Sequence, residues 1–258
     1  MHRLPPPSHR PVHDADMYSA AFIDGILEAY EAAMQSVLKA KYVSEISIIS
    51  EKAANKIASF NDTACEYDRH QTISDSFKHM AETIPDRTAV VYKDKKYTYK
   101  ELDEISDRLG KYIVSLGIGR EDVVSILIPR CEYMAIAPMG VIKAGAAYQP
   151  LDSTYPKDRL MYMLEDSSAK LLIADRELLS LVDGYNGPVL FTDEILSLDD
   201  TGAELGRPDV HDLFILLYTS GSTGVPKGCM LEYGNITSFC HWYRKYYSID
   251  SDSKIAAY

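Results

Sequence analysis

Apolar positions fall in two distinct rhythms along this chain. From Met17 onward, Phe22, Ile26, Tyr30, Ala33, Met34, Val37 and Leu38 recur at three- and four-residue steps, which predicts an amphipathic helix over residues 17–41. Such a helix needs a cover for its apolar face. Further on, short apolar runs alternate with helical patterns. Residues 72–83 predict a helix with Ile73, Phe77 and Met80 on one face, broken by Pro85. Residues 89–92 predict a strand, residues 94–96 a charged hairpin turn, and residues 97–99 the returning strand. A helix follows over residues 100–116. Residues 123–128 are apolar apart from Ser125, as in a strand buried on both faces of a parallel sheet. Residues 132–144 predict a helix despite Pro138 and Gly140, residues 148–151 an extended segment, and residues 156–166 a helix with Pro156 in its first position. Residues 171–174, 189–191 and 213–218 predict three more strands, and residues 253–258 look like the start of another. This rhythm predicts an α/β domain with a largely parallel sheet, preceded by an α-helical tail and a linker.

Composition narrows the choice. A chain of 258 residues buries a substantial core and ordinarily holds one or two domains. Its net charge of −11 argues against a nucleic-acid-binding surface. No apolar run is long enough for a membrane span, and the start at Met1, His2, Arg3 and Leu4 lacks the apolar stretch of a secretory signal, so a cytoplasmic location is expected. Residues 1–16 contain four prolines and read as disordered or extended. Cys65, Cys131, Cys229 and Cys240 are scattered, which supports neither a metal site nor a disulfide framework. Cys240 and His241 are neighbours, and adjacent side chains on a helix diverge by about 100°. Cys240 is therefore read as packing, His241 as surface or groove-lining, and neither as catalytic.

The densest chemistry lies between Thr219 and Gly228. Four hydroxyl residues (Thr219, Ser220, Ser222, Thr223) and two glycines (Gly221, Gly224) precede Lys227, directly after the apolar run ending at Tyr218. Glycines allow positive φ and let backbone N–H groups converge, hydroxyls add donors, and the lysine adds a mobile charge. Two readings fit: a flexible Gly/Ser turn, or a polyphosphate cradle. The apolar strand leading in and the Pro226, Lys227, Gly228 exit favour the cradle. A local lysine and backbone N–H groups serve phosphate even in an acidic protein. The loop is not a Walker P-loop, because Pro226 precedes the lysine and Gly228 follows it, and no dinucleotide fingerprint is present.

Leu217 through Gly228 resembles the phosphate loop of adenylate-forming enzymes, the superfamily of acyl-CoA synthetases, luciferases and peptide-synthetase adenylation domains. Tyr97 through Leu102 resembles the first core motif of nonribosomal peptide synthetase adenylation domains, and Ile142 through Asp152 the second. Both read physically as structural segments. The segment over residues 17–41 resembles the tail of a condensation domain, and residues 50–63, ending in Asn61, Asp62 and Thr63, the linker that follows it. The resemblance thus implies two parts. Residues 1–60 hold the start, helical tail and linker; residues 61–258 hold the N-terminal portion of an AMP-binding adenylation domain, truncated at its C-terminal end.

In this family ATP and a carboxylic acid, here an amino acid, give an acyl-adenylate and pyrophosphate. The acyl group then passes to the phosphopantetheine thiol of a carrier domain. The resemblance implies ATP with magnesium as nucleotide, condensation and carrier domains as partners, and neither nucleic acid nor membrane. It assigns Thr219, Ser220, Gly221, Ser222, Thr223 and Gly224 to the phosphate cradle, with Lys227 either its cation or a stabiliser of the loop itself. No catalytic residue is assigned, because the family's adenine, ribose and catalytic-lysine segments have no matching positions here. The chain alone is expected to activate nothing. Two rival readings stay open: a fragment of an acyl-CoA synthetase, and a non-catalytic phosphate- or partner-binding derivative.

Overall fold

The computed structural model describes residues 17–220 and 224–256. The expectation for residues 1–16 falls outside that range. The chain divides into two compact units, Met1–Glu66 and Tyr67–Tyr258.

The first unit holds α1 (Ala20–Val37) and α2 (Glu51–Phe60). α1 starts where Ser19 Oγ accepts the Phe22 N–H at 3.2 Å, and it ends four residues short of the expected 41. None of its residues is buried, and Phe22, Ile26 and Met34 are exposed. The stretch read as a linker contains α2. Ser50 Oγ accepts the Ala53 N–H at 3.1 Å, and residues of good helix propensity follow. Lys52 of α2 pairs with Glu28 of α1.

The second unit begins with α3 (Ile73–Thr83), opened by reciprocal hydrogen bonds between Thr72 and Asp75. β1 (Thr88–Tyr92) and β2 (Lys95–Thr98) form an antiparallel hairpin. Its turn is Lys93 and Asp94 rather than residues 94–96; Lys93 takes a φ of 54°, and Lys95 and Lys96 pair back into the strand. α4 (Tyr99–Ser115) starts without a linker, because Thr98 and Glu101 cap it reciprocally. The first sequence motif is thus a strand-to-helix corner.

β3 (Val123–Leu127), α5 (Tyr133–Lys143), β4 (Ala147–Pro150), α6 (Lys157–Asp166), β5 (Leu171–Ala174), β6 (Val189–Phe191) and the one-turn α7 (Thr192–Ile195) follow. Pro156 stands at the N-cap of α6 with ψ 146°, one position before that expected, since its extended ψ cannot open a helical turn. β7 (Leu213–Thr219), β8 (Lys227–Glu232) and α8 (Tyr233–Tyr246) complete the unit. The six-stranded sheet runs in the order β6-β5-β3-β4-β7-β8. All neighbours are parallel except β7 and β8. Residues 253–256 form no strand, there being no ladder to join among the described residues.

The apolar strands are buried on both faces. In β5, Leu171 and Ile173 face the core under α4 and α5, whereas Leu172 and Ala174 face that under α6. α4 and α5 pack so closely that a Cβ on Gly140 would lie 2.4 Å from the Leu109 side chain. That approach accounts for a glycine within a helix.

Two polar groups are built into this core. Lys143, at the end of α5, is 4% exposed; its Nζ donates to the Asp103 carbonyl at 3.0 Å and pairs with the carboxylates of Asp103 and Asp107 on α4. Gln149 of β4 is fully buried. Its Oε1 accepts from Ser125 Oγ at 2.5 Å and Ser167 Oγ at 2.9 Å, and its Nε2 donates to the Met163 carbonyl at 3.1 Å. One side chain thus ties β3, β4 and the end of α6 together.

Lys143→Met should lower stability by about 2–3 kcal/mol, below the ~3–5 kcal/mol of a fully buried broken pair, because water reaches the two abandoned carboxylates. Urea unfolding with an unchanged m-value measures it. A second prediction concerns pH. Tyr233 is fully buried and donates to the Ile142 carbonyl at 3.2 Å. Burial first, then the charge of Asp212, holds its hydroxyl above the ordinary tyrosine range. A raised folded-state pKa stabilises fully below the unfolded value of about 10 and loses that contribution as pH rises beyond it. Tyr233→Phe should cost about 1 kcal/mol at neutral pH for the lost hydrogen bond. It should also flatten the alkaline fall in stability, read as unfolding midpoints between pH 8 and 11.

Candidate functional site

β7 leaves the core as it rises toward the glycine-rich segment. Leu213 to Leu216 are buried, whereas Leu217 and Thr219 are exposed. The chain then turns and returns as β8, antiparallel to β7, with Tyr218 opposite Gly228 and Thr219 opposite Lys227. The segment is therefore the loop of a β-hairpin. Its return strand and α8 were not expected from the sequence. β8 opens on a lysine and a glycine and has mostly exposed positions, so it lacks the apolar run that marks a buried strand. α8 is rich in aromatics, which rank below Ala, Leu or Lys as helix formers.

The structure brings Thr219 and Lys227 together at the neck of this hairpin, with Ser220 directly after the strand and all three exposed. Gly224 sits on the returning limb with a φ of 84°, and none of the described residues approaches within 4 Å of where its Cβ would be. Gly221, Ser222 and Thr223 lie outside the described residues. Thr219 Oγ1 is 3.8 Å from Cys229 Sγ. A lysine and two hydroxyls around one opening, with a glycine in a conformation other residues resist, form a cationic, donor-rich mouth suited to an anion.

Below the mouth sits a group that the sequence did not mark. Tyr218 donates to Asp166 Oδ2 at 2.6 Å. The Tyr162 hydroxyl lies 3.3 Å from Asp166 Oδ1 and 3.4 Å from the Pro226 carbonyl. The two tyrosine rings meet edge to face, centroids 6.4 Å apart at 85°. Burial, followed by the hydrogen bond to Asp166, pushes the Tyr218 hydroxyl well above the ordinary range. Tyr162 and Asp166 share a face of α6 at i, i+4 spacing, a visible signal. Their partner stands 52 residues beyond Asp166, which no local pattern reveals.

The other candidates read from sequence fare as follows. Cys240 is exposed rather than packed: it shares the face of α8 with Tyr233 seven residues earlier, but the core covers that face only at Tyr233. His241 is half-buried beside Tyr67, ring centroids 5.4 Å apart. Among the described residues no three His, Cys, Asp or Glu side chains converge as a metal site, and no helix is long and apolar enough to cross a membrane.

A family profile described as AMP-binding enzyme matches residues 77–258. Gramicidin S synthase 2 of Brevibacillus brevis is 37% identical over 195 residues, covering 75% of this chain and 4% of that protein. Tyrocidine synthase 3 of Brevibacillus parabrevis is 38% identical over 200 residues, covering 77% of this chain and 3% of that protein. Among solved structures, the nonribosomal peptide synthetase FmoA3 superposes with a TM-score of 0.76 at 21% identity, over 90% of this chain and 25% of that one. The NpsA N-terminal subdomain of Klebsiella oxytoca, in complex with 3-hydroxybenzoyl-AMSN, superposes with a TM-score of 0.59 at 26% identity, over 68% and 45% of the two chains. The chain belongs to the AMP-binding enzyme family. Its fold is the N-terminal part of an adenylate-forming enzyme, and it spans less than a tenth of the length of these two peptide-synthetase relatives.

Gly224→Ala tests the loop backbone. The φ of 84° resists a side chain whereas the surrounding space does not, so the limb should rearrange locally at a cost of about 1 kcal/mol. Thermal unfolding should shift by a few degrees at most, while amide shifts of Val225 and Lys227 move. Unmoved shifts would show that the loop does not need this conformation.

Proposed function

We propose that the chain is part of a nonribosomal peptide synthetase module and that its second unit contributes the phosphate-binding half of an adenylation site. The observation that carries this reading is the pairing of Thr219 with Lys227 across the hairpin neck, inside a segment matched by the AMP-binding family. ATP with magnesium is the nucleotide, and an amino acid is the carboxylic acid. A carboxylate oxygen attacks the α-phosphorus, the bond to the β-phosphate oxygen breaks, and pyrophosphate leaves with the added negative charge. Thr219, Ser220, Gly221, Ser222, Thr223 and Gly224 cradle the departing phosphates, and Lys227 neutralises the charge that grows there. Such stabilisation is strong where donors are held in place before the reaction.

The acceptor of the acyl group is the phosphopantetheine thiol of a carrier domain. The helical first unit is assigned to the tail of a condensation domain and its linker; α1, with its exposed apolar face, fits an element that packs on further polypeptide. The peptide-synthetase relatives favour this reading over an acyl-CoA synthetase. A cytoplasmic location accords with it.

Lys227→Ala, placed in a complete module that contains this chain, should lower amino-acid-dependent ATP–pyrophosphate exchange by about 10- to 1000-fold while the fold persists. Exchange at the wild-type rate would reduce Lys227 to a stabiliser of the hairpin.

A further inference from the structure

We propose that Tyr162 and Asp166 of α6 are positioning residues that clamp the neck of the phosphate loop, holding its two limbs at a fixed separation. This inference rests on the assignment of the loop to phosphate. The clamp grips both limbs from one helix. Asp166 takes the hydroxyl of Tyr218, the residue directly before Thr219 on the outgoing strand. Tyr162 reaches the carbonyl of Pro226, the residue directly before Lys227 on the returning strand. Thr219 and Lys227 are themselves opposite each other. The two proposed phosphate ligands are therefore each one residue from a tether, and both tethers end on the same face of α6, one turn apart.

The chemistry of the tethers suits positioning. A carboxylate accepts on both oxygens and donates on neither. Asp166 uses Oδ2 for Tyr218 and offers Oδ1 to Tyr162. The single Tyr162 proton is shared between Asp166 and Pro226, and both contacts are longer than an ordinary O–H···O bond, as a proton divided between two acceptors requires. Pro226 has no N–H with which to bond elsewhere, so its carbonyl is the one backbone handle on that residue. Asp166 already has the Tyr218 hydroxyl on Oδ2 and the Tyr162 hydroxyl near Oδ1, so its contribution is read as geometry. The helix itself is anchored. Gln149, within the second sequence motif, donates to the Met163 carbonyl and accepts from the hydroxyl of Ser167, the residue after Asp166. A motif without reacting groups thus bears on the phosphate loop through α6.

The test uses the 258-residue chain. Amide exchange at Thr219, Lys227 and Gly228 is read by NMR, and binding of inorganic tripolyphosphate by phosphorus NMR. Tyr162→Phe and Asp166→Asn should each speed exchange at these amides by about 5- to 10-fold, the scale of one lost hydrogen bond. Both should weaken tripolyphosphate by a similar factor while circular dichroism stays unchanged. Asp166→Glu should restore part of each effect, as a general loss of packing would not. Lys227→Ala should weaken tripolyphosphate and leave exchange alone. Neck exchange at the wild-type rate in both clamp variants would overturn the proposal. Accelerated exchange, with no tripolyphosphate binding above that of Lys227→Ala, would leave the clamp as a feature of the hairpin and remove the phosphate assignment.

Discussion

Three aromatic rings hold the second half of the sheet to the first. Tyr148 of β4 meets Phe214 of β7 edge to face, centroids 5.4 Å apart at 80°, and Phe214 meets Tyr233 of α8 in the same manner at 5.0 Å and 78°. The backbone pairing of β4 with β7 has a single register pair, Tyr148 with Ile215. The rings supply what so short a ladder does not: area, fixed geometry and an edge-to-face attraction. Tyr233 extends the chain of contacts to the carbonyl of Ile142, at the end of α5. β8 pairs with β7 along its length, so this contact also helps to place the return strand against the sheet.

The same region gives a physical role to two sequence motifs with no evident chemistry. Lys143 spans from the second motif to α4, the helix that the first motif opens, and it does so from a buried site where an unpaired charge would be costly. Gln149 is equally buried and has hydrogen-bond partners on both its amide oxygen and its nitrogen. Satisfied polar groups of this kind specify one arrangement of helices on a sheet, whereas apolar contacts alone tolerate several. The loop acts at the surface, but its frame is set in the core.

Much of this was legible in the residues, for identifiable reasons. The mostly apolar run over residues 123–128 is typical of a strand covered on both faces, and Leu171 to Ala174 likewise; the structure buries both between two helical layers. The helices over residues 73–83 and 99–115 were readable from the spacing of their apolar positions, and the structure adds the Thr72 and Thr98 caps that fix their first turns. Legibility failed where a segment owes its form to a distant partner. β8 is a strand because β7 pairs with it, and its exposed, charged start says little by itself. Gly221, Ser222 and Thr223 were readable only as chemistry. Asp166 was readable only as a helix surface until the fold set Tyr218 beside it.

The role proposed for the β7–β8 hairpin is to receive the nucleotide's phosphates. The most direct measurement is a structure of a complete module containing this chain with a non-hydrolysable ATP analogue bound. The terminal phosphates should then lie within hydrogen-bond distance of the Thr219 and Ser220 hydroxyls and of Lys227 Nζ. Phosphates held elsewhere, with these three side chains turned to solvent, would contradict it.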